Sequence, residues 1–208
     1  MFPNHLAYEF STLIVVLDPI ATVPVFMAVT HDLNRKESLR VAIYSVLLSF
    51  LILLIFIVLG QTFLDALRIP MPSFQLAGSI LLFLLGLDMV RGKVDGASPD
   101  TMISADKVNL LKRAAYPLAI PVIAGSGSIL TVVMLTDNAT RSVAEQVQTS
   151  VILIVCLSIH FLSFSCAPYI RKYLGTTGIE TISRVFGLIL TSIAVTGIVA
   201  AIKACFDI

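Results

Sequence analysis

Long apolar blocks, rather than the short alternating runs of a soluble core, organise this chain. Six of them, at 6–29, 41–64, 73–90, 115–136, 148–170 and 184–204, approach the length of about 20 residues that a helix needs to cross a hydrocarbon core. Composition agrees: 57% of the 208 residues are hydrophobic and 13% charged, with a mean hydropathy of +0.97. The pattern predicts an all-α integral membrane protein. The longest polar stretch, 91–113, is too short and too polar to bury a core of its own, and reads as a linker.

Sorting the Lys and Arg by loop changes an uninformative net charge of +1 into a topology. Arg35, Lys36 and Arg40 follow the first block; Arg91, Lys93, Lys107, Lys112 and Arg113 follow the third; Arg171, Lys172 and Arg184 surround the gap after the fifth. The opposite face holds only Arg68, Arg141 and Lys203. By the positive-inside rule the first set is cytoplasmic and both termini lie on the other side, periplasmic in a bacterium. The basic linker is able to touch anionic headgroups, but as the loop that fixes topology it needs no other role. The first ten residues lack the Lys or Arg of a secretory leader, and no small-residue cleavage site follows, so the first span is expected to be retained.

Two spans are interrupted at matching places. The first carries Asp18, Pro19, Thr22 and Pro24 within one stretch; the fourth carries Pro117, Pro121 and then Gly125-Ser126-Gly127-Ser128. Proline lacks an N–H and its ring collides with the carbonyl one turn back, so both helices should break. Bare amides and carbonyls in lipid survive only where protein or a water-filled cavity satisfies them. Broken spans in corresponding positions of two halves are a transporter signature.

The halves also resemble each other. At an offset of 109 residues Gly78, Ile80 and Leu81 coincide with Gly187, Ile189 and Leu190; the stretch from Val25 to Thr30 resembles that from Val132 to Thr136, with Asp32 and Asp137 close behind. The chain therefore divides into a first three-span repeat at 1–90, a cytoplasmic linker at 91–114 and a second repeat at 115–208. Three spans is an odd number, so the second copy enters from the opposite side, giving six helices as two inverted repeats.

Asp18 lies near mid-membrane, where an ionised carboxylate costs roughly 2.5–3.5 kcal/mol, and something must compensate. It would cap the half-helix that Pro19 begins, and capping is compatible with lining a site. In the fourth span the Gly/Ser run allows backbone to approach a ligand closely, and a half-helix starting near Ser128 would offer free N–H groups to a carboxylate, with the first break offering the same on the inverted side. Close helix packing by small residues is the competing account. The candidate substrate-binding residues are thus Asp18, Pro19, Thr22 and Pro24 in the first break, and Pro121, Gly125, Ser126, Gly127 and Ser128 in the second.

Other polar positions have plainer readings. His160 is able to carry a coupling proton alongside Asp18, or is an interior histidine with a hydrogen bond. Asp88 reads as a helix-surface ion pair with Arg91, and Glu9 and Gln61 as interfacial. Thr191, Ser192 and Thr196 form either a strip facing the cavity or ordinary interhelical hydrogen bonds. Gly78 and Gly187 should permit close helix crossings. Cys156, Cys166 and Cys205 read as small apolar residues. No HExxH, GxSxG or P-loop occurs in the sequence, and catalysis is not expected. No metal or organic cofactor is expected either, H+ or Na+ coupling aside.

Three runs together are similar to the MarC family of bacterial inner-membrane proteins: Asp18-Pro19-Ile20 to Pro24-Val25-Phe26, Tyr116-Pro117-Leu118-Ala119-Ile120-Pro121 to Gly125-Ser126-Gly127, and Gly178-Ile179-Glu180-Thr181-Ile182-Ser183-Arg184 with Gly187. Ala21 stands where the family's first motif has Gly, and Ser126 where the second often has Pro. The resemblance implies a multi-pass protein of the bacterial inner membrane, in a class that includes transporters of small neutral amino acids. The expectation is a secondary transporter of glycine or alanine working by alternating access. A channel or exporter for another small solute, or a non-transporting assembly subunit, is the alternative. Expected partners are a small-molecule substrate and membrane lipid, with no nucleic acid; a homo-oligomer is left open.

Overall fold

The computed structural model describes residues 3–92, 110–136 and 142–206, and every regular element within them is helical. Most of the linker, 93–109, lies outside the described residues, as do Asp137 and Arg141. The first span is two pieces, α1 (Pro3–Leu17) and α2 (Val23–Val29). α3 (Arg35–Ala66) and α4 (Met71–Arg91) complete the first half. The second half opens with α5 (Leu110–Arg113), continues in wide turns through Ala114–Ile123, and resumes as α6 (Ser126–Leu135). α7 (Val143–Ser165) and α8 (Ala167–Phe206) follow.

Helix ends explain where these boundaries differ from the hydrophobic blocks. α3 starts six residues before its apolar run because Asn34 and Glu37 form a reciprocal capping box: the Glu37 N–H donates to Asn34 Oδ1 and the Asn34 N–H to Glu37 Oε2, each 3.0 Å. Ser142 and Glu145 make the same device at α7. The predicted loop between spans five and six is helical instead. Pro168 sits in the first turn of α8, where its missing N–H does no harm, and the rod is broken only at Gly175, whose φ of 64° is left-handed backbone that glycine adopts without penalty.

α3, α4, α7 and α8 are each long and apolar enough to cross a membrane, and Leu110–Ile123 with Ser126–Leu135, bent by 59°, makes a fifth span if counted as one. α1, at 15 residues, reaches about 22 Å and falls short alone. The chain is an all-α membrane protein with four to five candidate spans, where the sequence predicts six. Its outer faces agree with that class. Leu47, Leu51, Val58, Leu162 and Leu188 are more than half exposed, a distribution that water would not tolerate over so much surface.

The same order of elements recurs in the two halves: an interrupted span, a long helix begun by a capping box, then a further helix. Each short half-helix ends on a threonine whose hydroxyl donates to the carbonyl four residues back, Thr30 to Phe26 and Thr136 to Val132, both at 2.7 Å. The interrupted segments pack between α3, α7 and α8, with Leu13, Leu53, Leu118, Val132 and Leu157 in one core. α4 and α8 form the most extensive helix pair. They cross at Gly86 and Gly187, where a Cβ on Gly187 would meet the Gly86 carbonyl and Met89 Cβ, both at 2.8 Å. Gly78 instead faces Leu130 and Met134 of α6.

Candidate functional site

The first break starts where α1 runs out of donors. The Asp18 N–H donates to the Ile14 carbonyl at 3.1 Å, and Pro19 cannot continue the ladder; the carbonyls of Val15, Val16 and Leu17 receive no backbone N–H. Asp18 has φ 38°, a left-handed conformation that Asp tolerates better than most residues. Its Oδ1 accepts the Ala21 N–H at 3.1 Å and so closes a turn across the gap. Its Oδ2 is buried without a hydrogen-bond partner, and so is the Ser183 hydroxyl on α8, which lies beside the same carboxylate.

The expected mirror arrangement at the start of α2 is largely lost, with only the Val25 N–H of its first turn left without a backbone acceptor. The Val23 N–H is taken by the Ile20 carbonyl at 3.2 Å, Pro24 has none, and the Phe26 N–H bonds to Thr22. What the first break presents is therefore the carbonyl end of α1, a partial negative charge reinforced by Asp18.

The second break presents the opposite. Tyr116 (φ −136°, ψ 127°) and Ile120 (φ −127°, ψ 126°) are extended, as residues before proline prefer. Gly125 leads into α6 with ψ 178° and no side chain to cap the helix. A Cβ at Gly125 would run into the Pro121 carbonyl, so only glycine fits. The first helical bond of α6 is Ile129 N–H to Gly125 at 3.0 Å, which leaves the amides of its first turn without intrahelical partners. The Ser128 hydroxyl does not cap them; it donates back to Ile123 at 2.7 Å.

Both ends open on one cavity of about 330 Å³, near the lower limit of small-molecule pockets, ~300 Å³. The first break contributes Asp18, Ala21 and Thr22; the second contributes Pro121 and the run Gly125, Ser126, Gly127 and Ser128; α4 contributes Leu85, Asp88 and Met89. Seven of the nine candidate substrate-binding residues thus share one wall. Pro19 does not line it and offers only its carbonyl to the Thr22 hydroxyl, at 3.3 Å. Pro24 is exposed on the far side of α2, in a separate cleft of about 290 Å³ with His31 and Arg171.

His160 stands behind this wall. It is fully buried, with Nε2 at 2.9 Å from Thr22 Oγ1 and its edge against Phe164, which stacks on Phe26 of α2. Since the Thr22 hydroxyl donates to Pro19, the consistent assignment has His160 Nε2–H donating to Thr22, a relay through the first break. At one end of the molecule Arg113 ties the two breaks together. It donates to both Asp32 oxygens at 2.6 and 3.0 Å and to the Val29 carbonyl at 2.9 Å. This guanidinium holds the Asp32 carboxyl down at about 2.

Several plainer readings need correction. Asp88 makes no ion pair with Arg91; it lines the cavity. Glu9 is fully buried between α1 and α7, accepting from Thr149 at 3.1 Å. The hydroxyls of Thr191, Ser192 and Thr196 bond to their own helix four residues back, and Ser192 and Thr196 face outward. Sequence reasoning missed Asp88 as a cavity-lining group and Ser183 as the buried neighbour of Asp18. An acid in the last turn of a helix opposes the helix dipole, and that signal was available for Asp88.

Comparison with known proteins agrees with the first impression of the motifs. The family model described as MarC family integral membrane protein matches residues 3–206. A UPF0056 membrane protein of Methanocaldococcus jannaschii is 34% identical over 96% of this chain and 97% of its own length. One from Buchnera aphidicola is 33% identical over 95% and 92%, and YvbG of Bacillus subtilis is 28% identical over 100% and 99%. No solved structure matches.

Proposed function

From the premise that the chain belongs to the MarC family of integral membrane proteins, we propose that it is a secondary transporter of small neutral amino acids, glycine and alanine first among them. One observation carries this reading: helix ends of opposite polarity meet on one cavity, with the carbonyls of α1 and Asp18 on one side and the free amides of α6 on the other. A zwitterion is the complementary ligand. Its ammonium group pairs with Asp18 and the α1 carbonyls, and its carboxylate sits on the first turn of α6. Asp18 Oδ2 is buried with no hydrogen-bond partner, so pairing with the ammonium group requires the carboxylate to turn toward the cavity.

Alternating access follows from two inverted three-span repeats rocking about this point. The recurring element order and paired threonine-ended half-helices support such a repeat. The charge distribution supports a cytoplasmic side for Arg113, Asp32 and the linker, with both termini across an inner membrane from them. A non-transporting assembly subunit would need no cavity beside Asp18, and the 330 Å³ there weighs against it.

The test is uptake of labelled glycine and alanine into liposomes holding the purified protein. Saturable uptake, stimulated by unlabelled amino acid on the far side, is the expected result; flux without saturation or counterflow would mark a channel and overturn the proposal.

A further inference from the structure

A zwitterion held as above uses one carboxylate, yet the cavity contains two. Asp88 lies in the last turn of α4, where the helix's own carbonyls already concentrate negative charge. An acid at that point ordinarily takes a cation as neighbour, and Arg91 one turn on does not serve. The backbone crossing of Gly86 on Gly187 fixes the turn of α4 that carries Asp88. Among the described residues, Asp18 and Asp88 are the charged groups that line the cavity, and no Lys, Arg or His does. Uncompensated charge kept inside a membrane protein marks a site that acts on charge.

The charge balance then decides what the site admits. The ammonium group neutralises Asp18, and the α6 amides take the carboxylate of the amino acid. Asp88 is left over, on the α4 side of the same cavity. We propose that Asp88 sets the charge selectivity of the site: it admits amino acids with uncharged or cationic side chains and turns away acidic ones. The inference rests on the transport reading and adds a specificity residue to it. Like charges brought together in a confined site are a recurrent device for excluding the wrong partner.

The test is equilibrium binding of labelled alanine to the purified full chain, displaced by unlabelled alanine, aspartate or 2,4-diaminobutyrate, the last two being close in size and opposite in side-chain charge. Wild type should bind aspartate at least about tenfold more weakly than alanine, and diaminobutyrate no more weakly than alanine. In Asp88→Asn the aspartate-to-alanine ratio should narrow to within about threefold, and in Asp88→Lys the order of aspartate and diaminobutyrate should reverse. Measurable alanine binding in each variant reports that it has folded. Alanine binding with an unchanged ratio in Asp88→Asn overturns this inference alone. No alanine binding by wild type overturns the transport reading and this inference with it.

Discussion

The two interrupted apolar segments share a cause, proline within a hydrophobic run, but expose opposite ends of the peptide dipole. In the first, Pro19 strands the carbonyls of Val15, Val16 and Leu17 while Pro24 and the Ile20 carbonyl blunt the start of α2. In the second, Gly125 brings no side chain, so the amides of α6 stay bare. The first break also carries a carboxylate; the second carries no charge. Two halves with the same order of elements thus present a carbonyl-lined, acidic pole and an amide-lined one.

The sharpest way to break that contrast is to fill the second break. Gly125→Val drives its side chain into the Pro121 carbonyl. We expect glycine uptake to fall below detection and stability to drop by about 1–3 kcal/mol, read as a lower Tm. Next comes removal of the charge from the first: Asp18→Asn should raise the glycine KM by about tenfold or more, since a partly desolvated charged hydrogen bond contributes about 1.5–3 kcal/mol. Its Tm should hold or rise, because a buried charge with an unpartnered oxygen is gone. A large loss of stability instead would reassign Asp18 to a structural cap.

Thr22→Val probes the relay behind the first break. It leaves His160 Nε2 buried without its partner, at a cost of about 1–3 kcal/mol, and should lower Tm while reducing uptake less than Asp18→Asn does. The clamp that joins the breaks should matter less. Asp32→Asn removes its pairing with Arg113. The Asp32 carboxyl lies at about 2 against an ordinary 3.8, so its contribution is fully present above about pH 4 and is lost as pH falls toward 2. The small Tm difference between wild type and Asp32→Asn should accordingly be constant from pH 8 to pH 5 and shrink only below pH 4. Smallest of all is Ser192→Ala, where an outward hydroxyl bonded to its own helix is removed; uptake should change by less than about twofold.

The breaks, and seven of the nine residues nominated around them, were legible because proline and glycine act through local geometry that a sequence displays. The polarity of each break was not fully legible. Whether Val23 gives its N–H to Ile20 or to a ligand is settled by tertiary placement. Hydrophobic blocks located the long helices but misplaced their starts, by six residues at α3 and seventeen at α8, where a polar cap and Pro168 extend helix beyond the apolar run. The three-residue spacing of Asp88 and Arg91 suggests an ion pair, but Asp88 lines the cavity instead. His160 stood out as an intramembrane histidine, yet its contact with Thr22 spans 138 positions and no periodicity encodes it.

The central claim, that opposed helix ends grip the two charges of one small molecule, is tested most directly by displacing labelled glycine from the purified protein with alanine, methylammonium and acetate. The account predicts that alanine competes within about tenfold of glycine, while each singly charged fragment, meeting one pole only, is at least about a hundredfold weaker. Displacement by methylammonium or acetate as effective as by alanine would contradict it.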